Sequence, residues 1–261
     1  GSETQWNGWQ AKYKYAPFNA DTKEEEKIDQ IMAWLEMDEE TRPKLIMTYW
    51  DGTDSVGHIY GTDHKKIYDQ MVRQDQMLGL LFSRLAQINA WDYVTLLLVS
   101  DHGMINVNQY ISLKAILDTL EIEYILSPGP AVAHIFIDDK TESSQAFNLL
   151  SSQEHMTVYE RANLPESFHM NHPTRTGDLI VTTKPPYMFN NDPTDGPKGM
   201  HGFDPNLSEM HAIFGAIGAG VRNERIGPIH MTDVAPTIAK LLGINSVNHM
   251  QGKAVDLGPK D

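Results

Sequence analysis

The chain has no cysteine among its 261 residues. A disulfide framework and a thiolate zinc site are therefore excluded, and any bound metal must be held by His, Asp or Glu. No apolar run approaches the length of about 18 residues that a transmembrane helix requires, and the first residues show no signal-peptide pattern. The sequence therefore predicts no membrane-spanning helix.

Basic residues are scarce: 21 Lys and Arg stand against 35 Asp and Glu, for a formal net charge of -14. This balance argues against broad nucleic-acid binding, which depends on neutralising phosphates. A small anionic substrate would need local positive charge, and a bound metal ion can supply it. A hydrophobic content of 41% over this length supports one large α/β domain, with or without an insertion.

The first hundred residues alternate between helical and strand-like patterns. An acidic helix start at Asp21 leads into apolar residues at helical spacing, and a long amphipathic helix is predicted over residues 64–88. Apolar runs at 44–50 and 94–100 predict two strands on either side of that helix. We expect them to be parallel, with a right-handed crossover.

Shorter elements follow residue 104. They predict an inserted α+β subdomain over 105–185, between a metal-site part of the catalytic α/β domain (1–104) and a return to that domain (186–261). The elements behind this prediction are helices at 113–120, 143–151 and 232–242, and strands at 124–126, 131–137, 179–183 and 211–216.

Five side chains with metal-ligand chemistry follow predicted strands or lie beside glycines. Asp101 and His102 end the strand at 94–100, Asp54 and His58 lie four residues apart after 44–50, and His201 is next to Gly202. Each alone is more typical of a turn or a surface pair. Together they have the makeup of a zinc site, and two close metals can clamp the attacking and leaving oxygens of phosphoryl transfer.

Four motifs carry a family resemblance. Residues 49–61 (YWDGTDSVGHIYG) resemble the nucleotide pyrophosphatase/phosphodiesterase family of the alkaline phosphatase superfamily, where the usual form is Y-x-E-x-P-D-x-x-G-H-x-x-G. Residues 100–104, 199–202 and 232–244 follow in the family's order. Asp51 and Thr53 replace the usual Glu and Pro, which leaves the ligand positions intact. The resemblance implies an alkaline-phosphatase-like, mostly parallel sheet flanked by helices.

The resemblance also implies a ligand set. Asp54, His58 and His201 correspond to the ligands of one zinc, and Asp101 with His102 to ligands of a second. In the family an aspartate and a threonine nucleophile from an N-terminal segment complete the second zinc.

No threonine ahead of Asp54 has the family's nucleophile setting, and the opening Gly-Ser-Glu resembles a stretch that lies downstream of the nucleophile. We therefore expect a C-terminal part of a longer enzyme, with no catalytic residue in this chain and the N-terminal part of the fold missing. Two Zn²⁺ are expected in the full enzyme and one in this chain, which alone would be inactive.

Substrate contacts are expected from two aromatic residues. Phe18 falls where the family places a base-stacking aromatic, and Tyr49 precedes the first metal motif; loop packing and a strand-end core position are the ordinary alternatives. The predicted function is zinc-dependent hydrolysis of phosphodiester or pyrophosphate bonds in a small phosphate ester such as a nucleotide. The expected partner is the missing N-terminal segment of the same protein.

Two alternatives remain open. One is another branch of the superfamily, such as a phosphonate hydrolase, a metal-dependent mutase or a sulfatase; the other is a metal-binding module without catalysis. The lack of cysteine favours a bacterial protein over the disulfide-rich animal ectodomains. We expect a periplasmic or extracellular location, with the signal on the missing segment.

Overall fold

The computed structural model describes residues 7–14, 19, 21–192, 194–245 and 250–258. Within these ranges the helices are α1 (Glu24–Leu35), α2 (Gly52–Tyr60), α3 (Lys65–Gln87), α4 (Leu113–Leu117), α5 (Lys140–Ser151) and α6 (Val234–Leu241). The strands are β1 (Thr95–Val99), β2 (Ile105–Asn106), β3 (Gln109–Ile111), β4 (Ile125–Ser127), β5 (Val132–Phe136), β6 (Met156–Glu160), β7 (Leu179–Thr183), β8 (Tyr187–Phe189), β9 (Gly199–Met200) and β10 (Phe214–Gly218).

The chain divides into two compact units. The first comprises Gly1–Thr53, Gln70–Asp101 and Ile213–Asp261, and the second comprises Asp54–Asp69 and His102–Ala212. The domain boundaries expected at 104/105 and 185/186 stay a prediction.

The first unit is built on α1 and the greater part of α3. Three glutamates occupy the first turn of α1, where they complement the helix dipole, and the apolar side of the helix is buried. Leu81 and Leu85 of α3 pack into the same core as Ile28 and Leu35. Strand β1 pairs antiparallel with β10, from Thr95 opposite Gly218 to Val99 opposite Phe214.

Residues 44–50 differ from the prediction. They pair with no strand in the part of the chain that the structure describes, so the expected parallel β-α-β unit is not formed. Ile46 and Trp50 pack on the core, whereas Leu45 and Met47 are 47% and 79% exposed. Only Ile46 and Trp50 of this segment are partly buried, and the described residues give the segment no neighbouring strand.

The second unit contains a four-stranded antiparallel sheet in the order β4-β5-β7-β6. Its core combines the inner faces of β5 and β7 with α4 and α5, and Ile135, Leu150 and Val181 are fully buried there. Both helices begin at side-chain caps. The Ser112 hydroxyl accepts the Ala115 N–H at the start of α4, and the Asp139 carboxylate accepts two N–H groups at the start of α5.

Two short ladders complete this unit. Strand β2 pairs antiparallel with β9, and β3 pairs with β8 in the one parallel pair among the described residues. Val107, Met188 and Phe203 belong to a core cluster next to these ladders.

The α/β class predicted from the sequence is confirmed, as are the long helices and, within a few residues, the predicted strands other than 44–50. The described strand pairs are nevertheless mostly antiparallel, which corrects the expected parallel arrangement for this part of the chain. None of the helices in the described ranges combines the length and the apolar character that crossing a bilayer requires.

Candidate metal centre

Asp54 and His58 lie on α2, a helix that the sequence analysis did not predict. Because residues four apart are neighbours on one face of a helix, both side chains point to the same side. Gly61 directly follows the last residue of the helix, and its φ of +80° favours glycine. The sequence analysis expected Asp54 and His58 to follow a strand at 44–50. In the structure both residues lie on a helix, one turn apart.

Glycines let α2 and β9 approach each other closely. A Cβ on Gly57 would overlap the Sδ of Met104, and a Cβ on Gly199 would overlap the Gly57 carbonyl oxygen. The backbone overlap makes Gly199 the position that packing restricts most, whereas a Cβ on Gly57, immediately before His58, would displace the Met104 side chain.

Three histidine rings face one carboxylate oxygen of Asp54. The Nε2 atoms of His58, His201 and His102 lie 3.3, 3.7 and 4.0 Å from Asp54 Oδ1. One ligand atom from each of Asp54, His58 and His201 falls within 4.8 Å of the others. The structure thus brings His201 to a pair of residues that lies far from it in the sequence.

The Asp54 Oδ1 atom is buried and accepts no hydrogen bond from the described residues. Such an uncompensated carboxylate oxygen is costly unless a cation or a donor meets it. The ring nitrogens around it are the ligand type that zinc prefers beside a carboxylate. The donor set therefore fits a zinc ion.

Backbone carbonyls orient two of the rings. His58 Nδ1 is 2.9 Å from the Gly199 carbonyl oxygen, and His102 Nδ1 is 2.8 Å from the Gly103 carbonyl oxygen. Because a carbonyl only accepts, Nδ1 is the donor in each of these contacts, and Nε2 is the ring nitrogen that faces Asp54. A hydrogen bond from the ring nitrogen that does not bind the metal fixes the tautomer of a histidine ligand.

His102 and His201 are stacked, with ring centroids 3.5 Å apart and planes inclined by 13°. The His58 and His201 rings are 5.1 Å apart and tilted. His102, assigned above to a second metal, therefore lies beside the first three ligands.

The group of three ligands contains neither Asp101 nor Tyr49. Asp101 follows β1 in the first unit and is exposed, and its role as a ligand stays a prediction. Tyr49 also belongs to the first unit; it is 48% exposed, and its carbonyl oxygen accepts a hydrogen bond from Lys27 Nζ at 2.9 Å. Phe18 lies outside the described residues, so its proposed stacking role is untested.

Sequence reasoning missed the groups that support the ligands. Lys198 donates its backbone N–H to the His58 carbonyl oxygen at 2.7 Å, and Asn106 binds the turn after α2. Strands β2 and β9 have two residues each, which is too short for hydrophobic periodicity to reveal.

Comparison with known proteins gives a family. The model of the family described as "Type I phosphodiesterase / nucleotide pyrophosphatase" matches residues 1–204. Human ectonucleotide pyrophosphatase/phosphodiesterase family member 5 is 28% identical over 239 residues, which are 90% of this chain and 49% of that protein. The Xenopus laevis bis(5'-adenosyl)-triphosphatase enpp4 is also 28% identical, over 84% of this chain and 48% of that protein.

The chain spans about half the length of these relatives. An uncharacterized pyrophosphatase/phosphodiesterase of Schizosaccharomyces pombe is 26% identical over 94% of this chain and 54% of that protein. The reported relatives are eukaryotic, so they give no support to a bacterial origin.

A solved structure of murine ectonucleotide pyrophosphatase/phosphodiesterase 5 superposes with a TM-score of 0.88 at 26% identity, covering 97% of this chain and 67% of that one. An inactive threonine-to-alanine variant of the same murine protein, solved in complex with AMP, matches equally well. The match over residues 1–204, together with this likeness of fold, shows that the chain belongs to the type I phosphodiesterase/nucleotide pyrophosphatase family of the alkaline phosphatase superfamily.

Proposed function

We propose that this chain is the metal-holding part of a zinc-dependent hydrolase that cleaves phosphodiester or pyrophosphate bonds. The observation that carries the proposal is that His58 and His201 meet Asp54 at its buried carboxylate oxygen, which accepts no hydrogen bond from the described residues. The family is one of phosphodiesterases and pyrophosphatases. The motifs at residues 49–61 and 199–202, which contain these three residues, resemble that family's motifs.

In the proposal Asp54, His58 and His201 hold one zinc, and Asp101 with His102 contribute to a second. Bound zinc would neutralise developing charge on the phosphoryl group and activate the attacking oxygen. The Asp54 carboxylate supplies the negative charge of the first site. The carbonyl oxygens of Gly199 and Gly103 keep the two histidine rings oriented with Nε2 toward Asp54.

The nucleophile in the proposal is a threonine supplied by a segment outside these 261 residues. Thr53, the threonine adjacent to Asp54, has its hydroxyl hydrogen-bonded to the Gln74 side chain. The murine relative is described as inactive when one threonine is replaced by alanine. On this basis the chain alone binds zinc without appreciable hydrolysis.

The first unit offers a surface for such a segment. Leu98 and Val99 of β1 are 40% and 43% exposed, and Met47 is 79% exposed. Exposed apolar side chains on an edge strand offer a place for another chain segment to pair. We infer that the partner of this surface is the N-terminal segment of the same protein.

The proposed substrate is a small phosphate ester such as a nucleotide. The murine relative was solved with AMP, and other relatives are named bis(5'-adenosyl)-triphosphatases. Tyr49 and Phe18 are the proposed base-stacking residues. The net charge of -14 is unfavourable for nucleic acid, and the "ecto" in the relatives' names supports a location outside the cell.

The test measures zinc stoichiometry and the hydrolysis of p-nitrophenyl nucleotide esters, with and without added zinc. We expect the chain to bind at least one zinc, Asp54→Ala to bind it at least 100-fold more weakly, and hydrolysis to stay near background. His169→Asn is the matched control: it removes a histidine outside the group at a positive φ of 49° that asparagine tolerates.

The two parts of the proposal fail separately. A chain that folds but binds no zinc would contradict the metal site. Full hydrolytic activity of residues 1–261 alone would instead contradict the external nucleophile.

A further inference from the structure

The turn that ends α2 is held by one side chain, Asn106. Its Oδ1 accepts the Thr62 backbone N–H at 2.6 Å, and its Nδ2 donates to Asp63 Oδ2 at 2.5 Å. A Cβ on Gly61 would lie 2.6 Å from Asn106 Oδ1, so the glycine at this position lets the amide approach. Both hydrogen-bonding ends of the amide are therefore used on the same three-residue turn.

The backbone of Asn106 belongs to the ladder that carries His201. Asn106 lies opposite Gly199 and Ile105 lies opposite Met200, the residue before His201. The Val107 N–H also donates to the Lys198 carbonyl oxygen at 2.8 Å. Strand β2 thus fixes the strand segment that leads directly into a ligand.

The strand segment at Lys198 and Gly199 also makes two hydrogen bonds with His58. The Lys198 N–H donates to the His58 carbonyl oxygen, and His58 Nδ1 donates to the Gly199 carbonyl oxygen. Helix α2 is therefore attached to the β2–β9 ladder at two places: through the main chain and ring of His58, and through Asn106 at the turn that follows. Asp54 and His58 lie on the helix, and His201 lies on the ladder.

We propose that Asn106 is a positioning residue that sets the separation between the helix-borne ligands Asp54 and His58 and the ladder-borne ligand His201. The inference rests on the proposed function, since it assumes that these three residues bind a metal. Asn106 acts through the turn and the ladder and touches neither metal nor substrate.

The chemistry requires an amide at this position. Thr62 needs an acceptor, and Asp63 needs a donor. An aspartate would keep the first bond, lose the second, and set two carboxylates against each other. Because the swap is isosteric, Asn106→Asp changes the hydrogen bonding of the turn without changing its packing.

The experiment measures the zinc dissociation constant of the whole 261-residue chain by competition with a chromophoric chelator, and the thermal midpoint of the metal-free protein. Asn106→Asp should bind zinc roughly 10- to 100-fold more weakly, as changes to groups behind metal ligands typically do. The Asn106→Asp/Asp63→Asn double variant exchanges donor and acceptor, and its affinity should return to within threefold of the wild type.

Asn163→Asp is the matched control. Asn163 Nδ2 donates to Glu160 Oε2 at 2.9 Å, so the substitution breaks the same kind of hydrogen bond after β6. It should leave the zinc affinity unchanged. If Asn106→Asp does not fold, Asp63→Ala at the exposed end of the pair takes its place, with at least a threefold loss of affinity expected.

The outcomes separate the two proposals. A wild-type chain that binds no zinc contradicts the proposed function. A wild type that binds zinc while Asn106→Asp, or Asp63→Ala in its place, binds it equally well overturns the role of Asn106. A loss of affinity that the double variant does not restore also overturns it, since the amide–carboxylate pair would then not be the cause.

Discussion

Strands β1 and β7 have similar apolar sequences and very different surroundings. Strand β7, in the second unit, lies between β5 and β6, and Leu179, Ile180 and Val181 are at most 1% exposed. Strand β1, in the first unit, has β10 on one side, and Leu98 and Val99 are 40% and 43% exposed. The number of neighbouring strands, rather than the apolar content, decides how much of a strand is buried.

Glycines show the same difference. A Cβ on Gly177 would lie 2.7 to 2.9 Å from backbone atoms of Ile135 and Leu179, so the second sheet has no room there. A Cβ on Gly215 in β10 would meet only Leu98 Cβ, at 3.9 Å. The sheet of the second unit is therefore tightly packed at Gly177, whereas the sheet of the first unit has room for a further methyl group at Gly215.

The largest expected effect compares the same substitution in the two strands. Leu179→Ala should lower the free energy of unfolding by about 3 kcal/mol, because it leaves a cavity in a closed core. Leu98→Ala should lower it by about 1 kcal/mol or less, because much of that side chain is already in water. Urea unfolding followed by circular dichroism measures both, and equal losses would contradict the comparison.

A smaller effect is expected from adding one methyl group. Gly177→Ala should cost about 1–3 kcal/mol, because backbone atoms must move to accept the Cβ. Gly215→Ala should be neutral or stabilise by up to about 1 kcal/mol, because glycine in a strand costs conformational entropy. Thermal midpoints of the two variants test this pair; a destabilised Gly215→Ala would show that the first sheet is packed more tightly than the structure indicates.

The smallest effect is a pH dependence within the second sheet. Burial lowers the pKa of His134 from its ordinary value of 6.5, and its Nδ1 accepts the Gly177 N–H at 3.1 Å. The folded state therefore binds this proton less readily than the unfolded state. The neutral His134 side chain makes its full contribution to stability above pH 6.5. That contribution is lost as the pH falls from 6.5 toward the lower pKa that His134 has in the folded protein.

His134→Gln keeps an acceptor for Gly177 and removes the titration. The variant should lose less stability than the wild type when urea unfolding at pH 7.5 is compared with unfolding at pH 5.5. Identical losses in the two proteins would exclude His134 as a source of the pH dependence.

Much of the fold could be predicted from the sequence where a segment is long and periodic. Helix α3 was expected at 64–88 and lies at Lys65–Gln87, and β7 has the predicted bounds. Helix α2 was missed because its two glycines and its turn-forming residues favour a loop, and helical structure there depends on packing against Met104 and β9.

For the candidate site, the sequence determined the ligand chemistry: without cysteine, a metal can be held only by the carboxylates and imidazoles of residues such as Asp54, His58 and His201. Only the tertiary structure decided which of them meet. A separation of 143 residues between His58 and His201 leaves no local signal, and their encounter depends on backbone contacts at Gly57, Lys198 and Gly199. Backbone groups are the same in every residue, so the amino-acid types could not reveal the contacts that orient the ligands.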